Sequence, residues 1–211
     1  KIVLDIGDKI GIESIFLCKG IVYWGKGDYD KALEYYNRSL KINEELESKV
    51  SIGFALNNIG MVYGHLGEID KSFEYAKRAL QISIDVNHKY LMTLPLIALG
   101  KYYRIKGDFE KAIEVLVKSL SIQKEIELKV NDLLLTGTTN LYLIYKHLGK
   151  DYDVKEIHTL IKETSNIEYY LNYQISQLLE DTSYLETAFN QVQEKADNLE
   201  PDVAAKFLSY P

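Results

Sequence analysis

Apolar residues recur at Ile69, Phe73, Ala76, Leu80 and Ile84, at spacings of four, three, four and four. A second stripe follows Tyr75, Ala79, Ile82 and Val86 in the same stretch. Such spacings place residues on one face of an α-helix, and two stripes predict a helix with two packed neighbours. Residues 51–66 read as another helix, and Gly67 followed by Glu68 separates the two. Glycine suits a left-handed helix end, and the acid suits the start of the next helix through capping and the macrodipole. A helical hairpin is therefore predicted, with a first helix (A) and a second (B).

The hairpin recurs. Tyr23, Tyr63 and Tyr103 are evenly spaced, and the same step separates Gly20, Gly60 and Gly100, and again Gly27, Gly67 and Gly107. Around the last set the text reads GDYDKALEYY, GEIDKSFEYA and GDFEKAIEVL. A fixed period of about 20 to 50 residues signals stacked supersecondary units. Regular repeats are assigned to 13–47, 53–87 and 93–128. A looser one spans 135–165, because Tyr145 and Gly149 fall two positions later than the constant step requires. The two extra residues are placed near 131–137, with helix A at 138–148 and helix B starting near Tyr152. A degenerate fifth pair covers 168–199, with helices at 168–179 and 184–198, and 201–211 forms a short cap opened by Pro201. Residues 1–10 align with 41–50 and read as the end of a preceding repeat, which predicts a break before the first helix A and a chain cut from a longer protein. Pro95 predicts that the third helix A starts near Thr93 and that the helix before it ends by His88. Proline is tolerated in a first turn, where its missing N–H has no partner to lose.

These residues resemble the tetratricopeptide repeat. Its skeleton is met by Gly20-x2-Tyr23…Ala32-x3-Tyr36-x2-Ser39, Gly60-x2-Tyr63…Ser72-x3-Ala76-x2-Ala79 and Gly100-x2-Tyr103…Ala112-x3-Leu116-x2-Ser119. The usual tryptophan slot holds Phe16, Leu56 and Leu96, and the usual terminal proline is replaced by Glu44, Ile84 and Lys124. Without that breaker helix B extends, which accounts for the long period. The length is similar to the long repeats of Pins-type spindle-orientation adaptors and, more loosely, of kinesin light chains. The resemblance implies an all-α fold, a right-handed α-solenoid superhelix of about five antiparallel helix pairs.

It also implies a concave groove lined by the A helices. Carried onto this chain, the groove residues are Trp24, Phe54, Asn57, Asn58, Met61, Lys101, Arg104, Asn140 and Lys146. Asn58 and Asn140 match an asparagine that related arrays use to hold a ligand backbone. The same amides could equally bond between neighbouring A helices. Trp24, Phe54 and Met61 suggest an apolar half of the groove or ordinary core. Lys101, Arg104 and Lys146 suggest an acidic partner or a solvated face.

Charge and chemistry narrow the function. A net charge of −6 argues against nucleic acid, which needs a basic face. The single cysteine, Cys18, forms no internal disulfide, reads as a small core or groove residue, and points to a reducing, cytoplasmic setting. Residues 50–67 carry no Asp, Glu, Lys or Arg, but Asn57, Asn58 and the glycines fit a helix buried between others better than a membrane span. No phosphate loop, nucleophile elbow or metal-ligand spacing occurs, so neither catalysis, cofactor nor metal is expected. The reading is a scaffold that binds a peptide or partner domain. A regulatory segment of a larger signalling enzyme or transcription regulator, and a scaffold that self-associates through exposed array ends, are the alternatives.

Overall fold

The computed structural model describes residues 2–128 and 131–210. Among them lie eleven α-helices and no strand: α1 (Ile2–Lys26), α2 (Tyr29–Glu45), α3 (Lys49–His65), α4 (Ile69–Asp85), α5 (Lys89–Lys106), α6 (Phe109–Glu125), α7 (Asn131–His147), α8 (Val154–Glu163), α9 (Tyr169–Leu179), α10 (Thr182–Asp197) and α11 (Pro201–Leu208). The chain forms two compact units. One comprises Lys1–Pro95 with Lys195–Pro211, the other Leu96–Glu194.

The hairpin turns obey the sequence rules. Gly27, Gly67, Gly107 and Gly149 all adopt left-handed φ values, between +65° and +90°. Asp28 and Asp108 then cap the following helix, each accepting a hydrogen bond from the backbone N–H three residues on, at 3.2 Å. Glu68 makes no such cap bond; its longer side chain pairs with Lys71 instead. The reverse turns, from B to the next A, use a different device. Glu47, Asn87 and Glu127, spaced by the same repeat step, hold φ of 49–53° without being glycine. Left-handed backbone is costly for an L-residue, so these turns are held by the helices on either side.

In the first unit, α1 packs on α2, α2 on α3 and α3 on α4. Tyr36, Ala32, Leu56, Ile59, Val62, Ala76 and Ala79 are at most 2% exposed and form its core. A Cβ placed on Gly20 would stand 2.5 Å from the ring of Tyr36, and one on Gly60 3.1 Å from Tyr75 Cβ. In the second unit, α7 is the hub, touching α6, α8 and α9. One cluster there gathers Ala112, Leu116, Leu141 and Ile144, another Leu135, Ile157, Leu171, Ile175 and Leu178. Gly100 meets Leu116 as Gly20 meets Tyr36, with carbons 2.5 Å from a would-be Cβ.

Three expectations are corrected. Helix α5 does not begin near Thr93; it begins at Lys89 and runs through Pro95, while α4 ends at Asp85 as the proline argument allowed. His88 Nδ1 accepts from the Leu91 N–H at 3.1 Å and starts the helix early. Pro95 then leaves the Leu91 carbonyl without its helical donor, at a cost of about 3 kcal/mol. Burial of Leu91, which is 0% exposed and lies against Gly53, offsets about 1.5–3 kcal/mol of it. The expected break after residue 10 is also absent, since α1 is continuous from Ile2 to Lys26. Ile10, Ile12 and Ile15 on it are 44–54% exposed, so no packing partner forces a reversal and helix propensity prevails. Last, α7 is already helical at Asn131 and ends at His147, so the fourth helix A is not confined to 138–148.

The close A–B approach yields a stability prediction. Gly60→Leu should cost about 1–3 kcal/mol through overpacking against Tyr75 and the Ser72 carbonyl. A thermal melt in which this variant matches the parent would show that the helices do not depend on that contact.

Candidate functional site

In the first unit the A-helix residues form two neighbouring surfaces. On α3, Phe54, Asn57, Asn58 and Met61 follow the i, i+3, i+4, i+7 spacing of one helical face, and all four are partly exposed. Phe54 packs edge-on against His88 at 5.9 Å and against Tyr90 at 6.1 Å, centroid to centroid. On α1, Trp24 is partly buried and faces His65 at 5.8 Å, while Tyr29 stacks on the same imidazole at 5.5 Å. The Trp24 indole N–H is shut from water with no acceptor. Cys18 is exposed on α1, not part of the core.

In the second unit the amide and the cations separate into different roles. Asn140 is fully buried, and its amide is used within the chain. Its Nδ2 donates to the Thr136 carbonyl at 2.9 Å, and its Oδ1 accepts from Arg104 Nε at 3.2 Å. Gln174 of α9 bonds both ends of the amide at 3.4 Å. Of the two uses open to an asparagine here, Asn140 takes the one that ties neighbouring helices together. Lys146 is likewise engaged. Its ammonium donates to the carbonyls of Gln177 and Leu178 at 2.7 and 3.0 Å and pairs with Glu180 at 2.8 Å. It thereby caps the C-terminus of α9, where the helix dipole favours a cation, and holds the Glu180 carboxyl below the usual range.

Lys101 and Arg104 differ. They lie nearly one turn apart on α5, and no carboxylate pairs with either among the described residues. Lys101 Nζ sits 4.3 Å from the ring centroid of Tyr170, whose hydroxyl is hydrogen-bonded to Thr136. Burial first, and the nearby Arg104 charge second, lower the Lys101 ammonium from 10.5 to about 8. Burial also lowers Arg104. Yet both side chains keep some solvent contact. The two cations thus lie beside the Tyr170 ring and the Asn140 amide, partly open to solvent.

Gln174 and the aromatic neighbours of Trp24 were not foreseen. Gln174 lies in the degenerate fifth pair, where no repeat skeleton gives a register, although it stands one helix pair on from Asn140. Among the described residues no group of three or more His, Cys, Asp or Glu could hold a metal. No described helix is long and apolar enough to cross a membrane.

Comparison with known proteins agrees with the geometry. The tetratricopeptide repeat signature matches residues 11–85 and again 51–125, more than half of the 211 residues. The chain belongs to the tetratricopeptide repeat family, and its fold is an all-α repeat solenoid. No curated protein matches it. Among solved structures, the apo form of RapI superposes with a TM-score of 0.68 at 19% identity, covering 89% of this chain and 70% of that one. BtubC (BKLC) from P. vanneervenii gives 0.62 at 16% identity, over 99% of this chain and 87% of that one. A putative kinesin light chain from Podosopora anserina with nearly identical repeats gives 0.55 at 15%, over 97% and 95%. At such identities the likeness establishes the fold alone, and it is the tetratricopeptide family match that supports a protein-interaction scaffold in general.

The depressed Lys101 makes a signed prediction. In the unfolded chain it titrates near 10.5 and in the fold near 8, so between these values the unfolded chain binds more protons and stability rises with pH. Lys101→Met should therefore be more stable than the parent at pH 7, by about 1–3 kcal/mol, with the difference shrinking towards pH 10. Urea melts at both pH values measure it. A parent–variant difference independent of pH would remove the buried charge as its cause.

Proposed function

We propose that the chain is an adaptor that works in the cytoplasm and holds an acidic segment of a partner protein on the inward faces of its A helices. The observation that carries this reading is the Lys101–Arg104 pair, which has no carboxylate partner among the described residues. Two cations without a carboxylate repel each other and are poorly hydrated, and an incoming anion relieves both costs. The guanidinium spends Nε on Asn140, which fixes its plane and leaves its outer N–H groups for a ligand oxygen. Asn57 and Asn58, on the α3 face with Phe54 and Met61, supply amides suited to a peptide backbone and an apolar surface beside them. Asn140 holds Arg104 from behind rather than touching the ligand, and Lys146 is engaged at the end of α9. A regulatory segment of a larger signalling protein would use the same surfaces.

Self-association is a second reading with its own observation. Ile12, Ile15 and Val22 share one side of α1 and are 44–54% exposed, and Ile10 and Ile21, 53% and 48% exposed, share another. A patch of this kind marks a contact surface, and a second copy is one occupant.

The acidic reading is tested with a synthetic Glu/Asp-rich peptide and its Gln/Asn counterpart. The acidic peptide should bind more tightly, and less so as ionic strength rises from about 0.05 to 0.3 M. Lys101→Glu with Arg104→Glu should weaken it at least tenfold, on the order of 1.4 kcal/mol or more. Unchanged affinity and salt dependence in the double variant would place binding elsewhere.

A further inference from the structure

The α1–α2 turn of the first unit is covered by a segment far away in the chain. Phe207 of α11 is 5% exposed, and its ring lies 2.8 Å from where a Cβ on Gly27 would stand. Gly27 has φ +90°, so backbone and space both call for glycine there. Tyr29, 2% exposed, meets Phe207 at 6.0 Å and Tyr210 at 5.5 Å between ring centroids. Lys206 pairs with Asp30, and Lys195 donates to the Gly25 carbonyl at 3.0 Å while standing 5.8 Å from the Trp24 ring centroid. At Gly107 and Gly149, turn glycines of the other unit, nothing lies within 4 Å of a would-be Cβ.

We infer that the surface made by Trp24, Gly27, Tyr29, Asp30 and His65 is a docking site for a short helix that carries a lysine followed directly by an aromatic residue, and that α11 with Lys195 is its exchangeable resident. The site has a glycine floor, an aromatic wall of Tyr29 stacked on His65, and a carboxylate rim. The resident displays the chemistry that fits: the cation of Lys206 on Asp30, the Phe207 ring over Gly27, and a second aromatic, Tyr210, on the edge of Tyr29.

Three features make the resident exchangeable. The Trp24 indole N–H, beside His65 and Lys195, is stranded without an acceptor, and a stranded donor costs about as much as burying one aromatic ring returns. The ion pair with Asp30 is exposed on both sides and contributes little. An eight-residue helix does not hold its own shape in water, so α11 relies on Phe207 as anchor, with Leu208 beside it 50% exposed. A partner that also offered an acceptor to the indole would compete directly. This site is independent of the Lys101–Arg104 pair, which lies in the other unit.

Trp24 is the sole tryptophan, so its emission reports on the site. The probe is a synthetic peptide with the sequence of residues 199–211, LEPDVAAKFLSYP, titrated against the whole chain. The chain with Phe207→Ala should bind it saturably, with a shift in Trp24 emission. The unaltered chain should bind it at least about tenfold more weakly, because its own tethered α11 competes at millimolar effective concentration. A peptide carrying F207A should fail on the Phe207→Ala chain, and one carrying K206E should bind about threefold more weakly and recover when Asp30→Lys is added. No saturable binding to the Phe207→Ala chain, or equal affinity for both chains, overturns the inference. If Phe207→Ala melts without cooperativity, Lys206→Glu in the whole chain replaces it, and absence of peptide binding there overturns the inference as well.

Discussion

Each regular repeat depends on bringing helix A against helix B at a residue that has no side chain. Gly20, Gly60 and Gly100 leave 2.5–3.1 Å between a would-be Cβ and the facing atoms of Tyr36, Tyr75 and Leu116. That approach lets the large B-helix side chains seat on bare backbone, and it fixes which residues of helix A turn away from B. Protein interiors yield little to added volume, so the constraint is stiff. Everything else displayed on the A helices inherits its placement from it, including the α3 stripe and the Lys101–Arg104 pair.

The polar residues of the second unit show how selection of a binding face follows from hydrogen-bond satisfaction. Asn140 and Lys146 sit at positions that could face a ligand, but α9 lies against them and absorbs their capacity. A buried amide must be satisfied, and a helix C-terminus favours a cation, so both find internal partners. Lys101 and Arg104 have an amide and an aromatic ring near them but no anion. Among the described residues their charge meets no carboxylate.

In the first unit the aromatic residues serve the same logic with less charge. His65 is held between Trp24 and Tyr29, and the equivalent residue of the other unit, His147, packs on Phe109 at 4.7 Å. The aromatic residue just after the turn glycine thus regularly meets the end of the next A helix. What distinguishes the first repeat is the added layer from α11, which brings a third aromatic shell over Tyr29.

The repeat period, the helix pairs, the left-handed glycines and the aspartate caps were legible in the sequence, because each is decided within a few residues of chain. Gly27, Gly67 and Gly107 followed by an acid announce their turns locally, and the constant step between them fixes which residues share a face. The groove residues were legible as positions but not as chemistry. Tertiary structure decided the rest, wherever a distant contact outweighed a local rule. Leu91 against Gly53 and the His88 cap carry α5 through Pro95, and α1 runs on with Ile10, Ile12 and Ile15 only half covered. Whether Asn140 or Lys146 faces a ligand depended on α9, whose register no repeat skeleton announces. The seat of Phe207 on Gly27 joins residues from opposite ends of the sequence, and no periodicity encodes such a pair.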